Sequence, residues 1–136
     1  MAEIILVRHG QANSTAKTEA DYDRLSDLGH QQARWLGERM SQTNGHFERV
    51  ISGTLRRQRE TADGIGAQAP RSEDARWNEL EYYTMSAAYR DQHGVAFPQS
   101  QAEYVAHAPK LMQAWSEDIL TDIPETFTDF DTRITD

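Results

Sequence analysis

The sequence predicts an α/β protein built on a parallel sheet, and three observations predict it. Two short apolar, β-branched runs, Ile4 to Val7 and Val50-Ile51, have the length and content of buried strands. Two stretches that follow them, Leu28 to Met40 and Ala62 to Ala69, carry apolar or small residues at helical spacing. Strand, helix, strand, helix in that order requires right-handed crossovers and parallel pairing.

The bulk composition bounds the rest. A chain of 136 residues has room for one domain and a modest core, supplied by three Trp, five Tyr and four Phe. With 14 basic and 22 acidic residues the formal charge is −8, which argues against a general nucleic-acid or anionic-membrane binder by repulsion. No cysteine is present, which removes disulfides, thiol nucleophiles and Cys-ligated metals. No apolar run approaches a membrane span, and the start lacks the pattern of a signal peptide. A cytoplasmic location is the resulting expectation.

Taken in order, the first strand runs directly into Arg8-His9-Gly10. Ligands of open α/β sheets bind at the carboxyl ends of strands, and a cation beside an imidazole there suits a phosphate better than a core. Gln11 to Asp23 is polar and aperiodic, so a loop is expected. Ser26 is a good N-cap for the first helix, which Asn44-Gly45 stops. Thr54 is expected to cap the second helix and Pro70 to end it. Arg56, Arg57 and Arg59 crowd its first turn against the helix dipole, so a compensating anion is expected there. Arg56 and Arg59 read as solvent-facing or paired with Glu48 and Glu60.

Arg71 to Arg76 is a weak third strand. Trp77-Asn78-Glu79-Leu80-Glu81-Tyr82 then sets carboxylates among aromatics, an environment that raises a carboxyl pKa and suits a general acid. Thr84 is expected to cap a helix ending near Gly94, and Ser100 to Glu103 is a capping box. Pro109 is expected to break or kink the next helix, whose stripe of Leu111, Met112, Trp115 and Ile119 reads as core. Residues 84–124 thus form a helical insertion, expected as a lid or wall over the site. A last helix is expected from Glu125. No Gly, Asn or Pro stops it, and seven carboxylates stand against one arginine between Ala114 and Asp136, so truncation within the helix is expected.

Five blocks in the right order resemble the histidine phosphatase superfamily, the phosphoglycerate-mutase-like fold. Leu6-Val7-Arg8-His9-Gly10-Gln11-Ala12 is similar to its signature, and Leu25 to Ala33 with Leu36-Gly37 to its first helix. Ser52-Gly53-Thr54-Leu55-Arg56-Arg57 with Thr61-Ala62 resembles its Ser-Ser-x-Leu-x-Arg-Ala turn, Gly53 standing for a serine and Gln58 for an alanine. Asn78-Glu79 resembles the segment carrying the acid, and Glu125 to Arg133 a later helix.

The resemblance implies a three-layer α/β/α sandwich with a mainly parallel central sheet, here as one incomplete domain over 1–136. It implies His9 as the nucleophile, Glu79 as the acid and base, and Arg8 and Arg57 as phosphate ligands, without metal or cofactor. The substrate implied is a small phosphorylated molecule or a phosphoprotein. Arg56 and Glu81 remain alternatives to Arg57 and Glu79.

The family also carries a second histidine before a glycine, after a later strand. Only His93 precedes a glycine here, and Arg90-Asp91-Gln92 before it is no buried strand. The expectation is that the chain stops short of that strand, leaving the edge of the first strand exposed for homodimerisation. The function expected is metal-independent phosphomonoester hydrolysis through a phosphohistidine on His9. A catalytically incomplete fragment that binds phospho-ligands and a phosphoglycerate-type phosphomutase stand as alternatives.

Overall fold

The computed structural model describes residues 2–43 and 45–136. The chain forms two compact units, Met1–Glu79 and Leu80–Asp136.

The first unit contains α1 (Glu19–Tyr22), α2 (Asp27–Thr43), β1 (Val50–Ser52), α3 (Arg56–Ile65) and β2 (Arg71–Glu73). β1 and β2 pair in parallel, Val50 opposite Arg71 and Ser52 opposite Glu73, with α3 as the crossover. This is the α/β class with parallel pairing that the order of the segments dictates. Ser26 begins α2 as expected, its Oγ accepting from Gly29 N–H at 3.0 Å. The expected stop at Asn44 lies outside the described residues. α2 and α3 pack backbone against backbone at Gly37, where an added Cβ would stand 2.1 Å from the Ile65 carbonyl oxygen.

Both expected boundaries of α3 shift. Its N-cap is Leu55, not Thr54, and its side chain makes no cap bond. The free N–H groups are taken by a carboxylate from elsewhere in the chain, described below. The helix ends at Ile65 because Gly66 turns left-handed (φ 62°), before Pro70 can act. The loop expected over 11–23 contains α1, a single turn capped by Thr18.

The first stretch also departs from expectation. No strand forms over Ile4–Val7; Ile4 is 84% and Leu6 77% exposed. An apolar β-branched run encodes only a preference. A strand exists when a neighbour pairs its backbone, and among the described residues none pairs with this one.

The second unit is helical: α4 (Tyr82–His93), α5 (Gln101–Ser116) and α6 (Phe127–Thr135). Residues 84–124, expected as an insertion, contribute α4 and α5. α4 starts two residues before Thr84 and ends at left-handed Gly94, as expected. Ser100 caps α5, accepting from Glu103 N–H at 3.2 Å, and α5 continues through Pro109 rather than breaking there. Thr126 and Asp129 form a reciprocal capping box, so α6 starts two residues after Glu125. Leu111, Trp115, Met85, Ala114 and Leu120 form the buried core. Trp115 meets Phe127 and Phe130 edge-on, each at 5.2 Å, and its Nε1–H donates to the Glu125 carbonyl. No helix among the described residues is long and apolar enough to cross a membrane.

Candidate active site

His9 is placed by its neighbours rather than by a strand. Gly10 N–H donates to Thr61 Oγ1 at 3.0 Å, tying the segment to α3, and Gln11 N–H donates to Gln32 Oε1 on α2. Ala12 bridges Leu25 in antiparallel fashion, flanked by Asn13 N–H to Arg24 O and Ser26 N–H to Gln11 O. The approach to α2 is so close that a Cβ on Gly29 would lie 2.1 Å from Gln11 O. Only glycine fits there, and the histidine backbone cannot drift.

The two ring nitrogens of His9 have different partners. Nδ1 stands 2.6 Å from Gly10 O, a pure acceptor, so Nδ1 carries a proton. Nε2 stands 2.9 Å from Glu79 Oε2. The line between them holds one proton, on the imidazole or on the carboxyl. The His9 side chain is nearly buried, while that of Glu79 is 42% exposed.

The Glu79 carboxyl is held below its ordinary pKa. The His9 hydrogen bond is the main cause; burial opposes it, and the charges of His9, Arg57 and Arg8 assist. The aromatic-rich sequence pointed the other way. Trp77 is over half exposed, and the hydrogen bond from His9 outweighs desolvation at the carboxyl.

The segment carrying Glu79 is clamped onto the β1–α3 turn. Asn78 Oδ1 accepts from Thr54 N–H at 2.7 Å, Asn78 Nδ2 donates to Thr54 Oγ1, and Gln58 Nε2 donates to Trp77 O. The two departures from the family turn prove to be coupled. A Cβ on Gly53 would sit 1.8 Å from Gln58 Oε1, so the glycine makes room for the glutamine.

Arg57 is wholly buried at the start of α3. Its Nη1 donates to Glu19 at 3.2 Å and Asp23 at 3.1 Å, its Nε reaches Glu79 Oε2 at 3.4 Å, and the Tyr22 ring lies 4.9 Å from its guanidinium carbon. Its Nη2 is buried with no acceptor among the described residues. The same Tyr22 ring stands edge-on to His9 at 6.2 Å. Arg56 pairs with Glu60 as expected, whereas Arg59 pairs with Glu73.

The anion anticipated at the α3 N-terminus is Asp23. It accepts from the backbone N–H groups of Arg56 and Arg57, each at 3.0 Å. Sequence reasoning left Asp23 unassigned within a loop, although α1 brings Glu19, Tyr22 and Asp23 to one arginine. Arg8 is exposed and reaches the site through its charge on Glu79. Arg8, His9 and Glu79 lie on the wall of a cavity of about 1260 Å³ within the first unit. Of the alternatives, Arg56 is taken up by Glu60, and Glu81 accepts from Thr84 Oγ1 at 2.9 Å. His93 occupies the last turn of α4, its Nε2 against Ile119 O.

Comparisons with known proteins bear on this arrangement. The family model for the histidine phosphatase superfamily (branch 1) matches residues 4–136. The serine/threonine-protein phosphatase Pgam5, mitochondrial, of Drosophila ananassae is 39% identical over 62 residues, 46% of this chain and 21% of that protein. Phosphoglycerate mutase-like protein 4 of Arabidopsis thaliana is 39% identical over 75 residues, 53% of this chain and 32% of that protein. The matched regions therefore span a fifth to a third of these curated relatives. Among solved structures, Mycobacterial hydrolase 2 is 25% identical and covers 93% of this chain and 52% of its own, with a TM-score of 0.49.

Proposed function

The chain belongs to the histidine phosphatase superfamily, and on that premise we propose that it hydrolyses phosphomonoesters through a phosphohistidine on His9. One observation carries the reading. A single oxygen, Glu79 Oε2, contacts both His9 Nε2 and Arg57 Nε. An anionic oxygen is thus already accommodated between the nucleophilic nitrogen and a buried guanidinium. Phosphatase activity at the level of the family, and the phosphatase named among the relatives, support the same chemistry.

The steps follow from the hydrogen bonds. Nδ1–H on Gly10 O holds the ring and leaves Nε2 as the attacking atom. The arriving phosphoryl group displaces the half-exposed Glu79 from Nε2 and from Arg57. Its negative charge raises the Glu79 pKa, so the carboxyl takes up the proton of the His9–Glu79 line. Nε2 then attacks phosphorus, the bond to the leaving oxygen breaks, and Glu79 protonates that oxygen. In the second half, Glu79 accepts a proton from water, the water oxygen attacks phosphorus, and the N–P bond breaks to free phosphate and His9. Arg8 and Arg57 supply the positive charge that phosphoryl transfer requires.

The test is peptide-mapped mass spectrometry after brief incubation with p-nitrophenyl phosphate, quenched in alkali to preserve phosphohistidine. One phosphoryl group on His9 is expected, with turnover lost in His9→Ala. An active His9→Ala variant would sink the mechanism. A folded chain that binds orthovanadate but never becomes labelled would favour a phospho-ligand-binding module.

A further inference from the structure

We propose that Asp23 is the positioning residue of the site: it turns the Nε–Nη2 edge of Arg57 toward the phosphoryl group. The inference rests on the phosphatase reading above.

An arginine presents two forks to an oxyanion, the end-on pair of Nη atoms and the side-on pair of Nε and Nη2. In this protein the end-on fork is blocked, because Nη1 is held by Asp23 at 3.1 Å and Glu19 at 3.2 Å. The side-on edge is left. Nε has only a long contact with Glu79 at 3.4 Å, and Nη2 is buried without an acceptor among the described residues. An unfilled buried donor of a charged group is costly, and a phosphoryl oxygen would fill it. That edge is also where Glu79 Oε2 meets His9 Nε2.

Asp23 accomplishes this with one carboxylate. Oδ2 accepts from Arg56 N–H, while Oδ1 accepts from both the backbone N–H and the Nη1 of Arg57. The oxygen that fixes the start of α3 therefore also fixes the guanidinium that α3 carries. Glu19 accepts from the Nη1 of the same side chain.

A helix cap and a positioning residue separate by substitution. Asp23→Ala removes both functions, and a fall of about a hundredfold in kcat is expected, as for a misplaced catalytic group, with a lower Tm. Asp23→Ser supplies a capping hydroxyl too short for the guanidinium, so Tm recovers while kcat stays low. Asp23→Asn keeps an acceptor oxygen at the right reach and restores most of kcat. Wild-type turnover in Asp23→Ser, or equal rates in the Ser and Asn variants, would reduce Asp23 to a helix cap and overturn the proposal.

Should the variants not fold, orthovanadate titration of the wild-type protein, followed by arginine Nε NMR, decides the same point. The Arg57 Nε–H signal is expected to shift. Movement of the His9 resonances with no change at Arg57 overturns the proposal. A wild-type protein with no turnover and no label on His9 refutes the phosphatase reading instead, so the two failures are distinguishable.

Discussion

The two units of this chain are organised around opposite kinds of interior. In Leu80–Asp136 the buried apolar residues include the large Leu111 and Trp115, set among aromatic neighbours. In Met1–Glu79 the buried apolar residues are Ala12, Ala16, Leu25 and Ala33, mostly small, and the largest wholly buried side chain is Arg57. One unit excludes water by packing hydrocarbon. The other closes around a charge, with Glu19, Asp23 and Glu79 compensating it. A buried charge is a poor source of net stability and a good source of fixed geometry, because each partner must be oriented. The contrast therefore sets an interior suited to stability against one suited to fixed geometry.

The sharpest way to break this comparison is to empty each interior. Arg57→Ala leaves three carboxylates without their shared cation, and a loss of about 3–5 kcal/mol is expected in urea denaturation, with activity gone. The deficit should shrink in acid as Glu79, depressed from 4.5, is protonated; a deficit independent of pH would mean that charge is not what holds the first unit. Leu111→Ala removes hydrocarbon from a wholly buried site and should cost roughly 2–5 kcal/mol. Its effect should be indifferent to salt and pH.

Acidification should also separate the units. His107 is buried, its Nδ1 2.9 Å from Tyr82 Oη and its Nε2 without a partner among the described residues. Desolvation, with Lys110 nearby, pushes its pKa below 6.5. The unfolded chain then binds the proton more readily than the folded one, so stability is full above about pH 6.5 and falls as pH drops through that value. Glu79 is depressed from 4.5, so its contribution is present above that value and is lost as pH falls toward its folded pKa. Amide NMR at stepped pH should show α4 and α5 loosening first and the His9–Glu79 region later. The reverse order would refute the assignment.

The smallest effect expected is that of Arg56→Ala. Its bond to Glu60 joins residues one helical turn apart, with the arginine largely in water. A change of about 0.5 kcal/mol or less in a thermal melt is expected. A change comparable to that of Arg57→Ala would show that the first unit rests on the whole arginine cluster and not on its buried member.

Much of the candidate site was legible through the family resemblance. The Arg8-His9 pair, the Arg57 position and Asn78-Glu79 were found by their place in a collinear pattern, and His9 and Glu79 meet at 2.9 Å from 70 residues apart. Asp23 was not legible, since an aspartate in a polar loop has no signature until α1 turns it toward α3. The sign of the Glu79 shift runs against the local sequence for a related reason: aromatic neighbours are visible in the segment, whereas the His9 hydrogen bond that dominates the shift comes from 70 residues away.

By itself, then, the sequence determined what depends on a few adjacent side chains: the helical stripes, the caps at Ser26 and Ser100, the stop at Gly94 and the parallel β1–α3–β2 unit. Tertiary structure alone decided what depends on distant partners. Ile4–Val7 has strand propensity but no pairing neighbour among the described residues. Arg57 has a charge that any surface would accept, and it is buried because Glu19, Asp23, Tyr22 and Glu79 converge on it. Propensity is local and additive along the chain, whereas burial and electrostatic fields are set by whichever groups folding brings together.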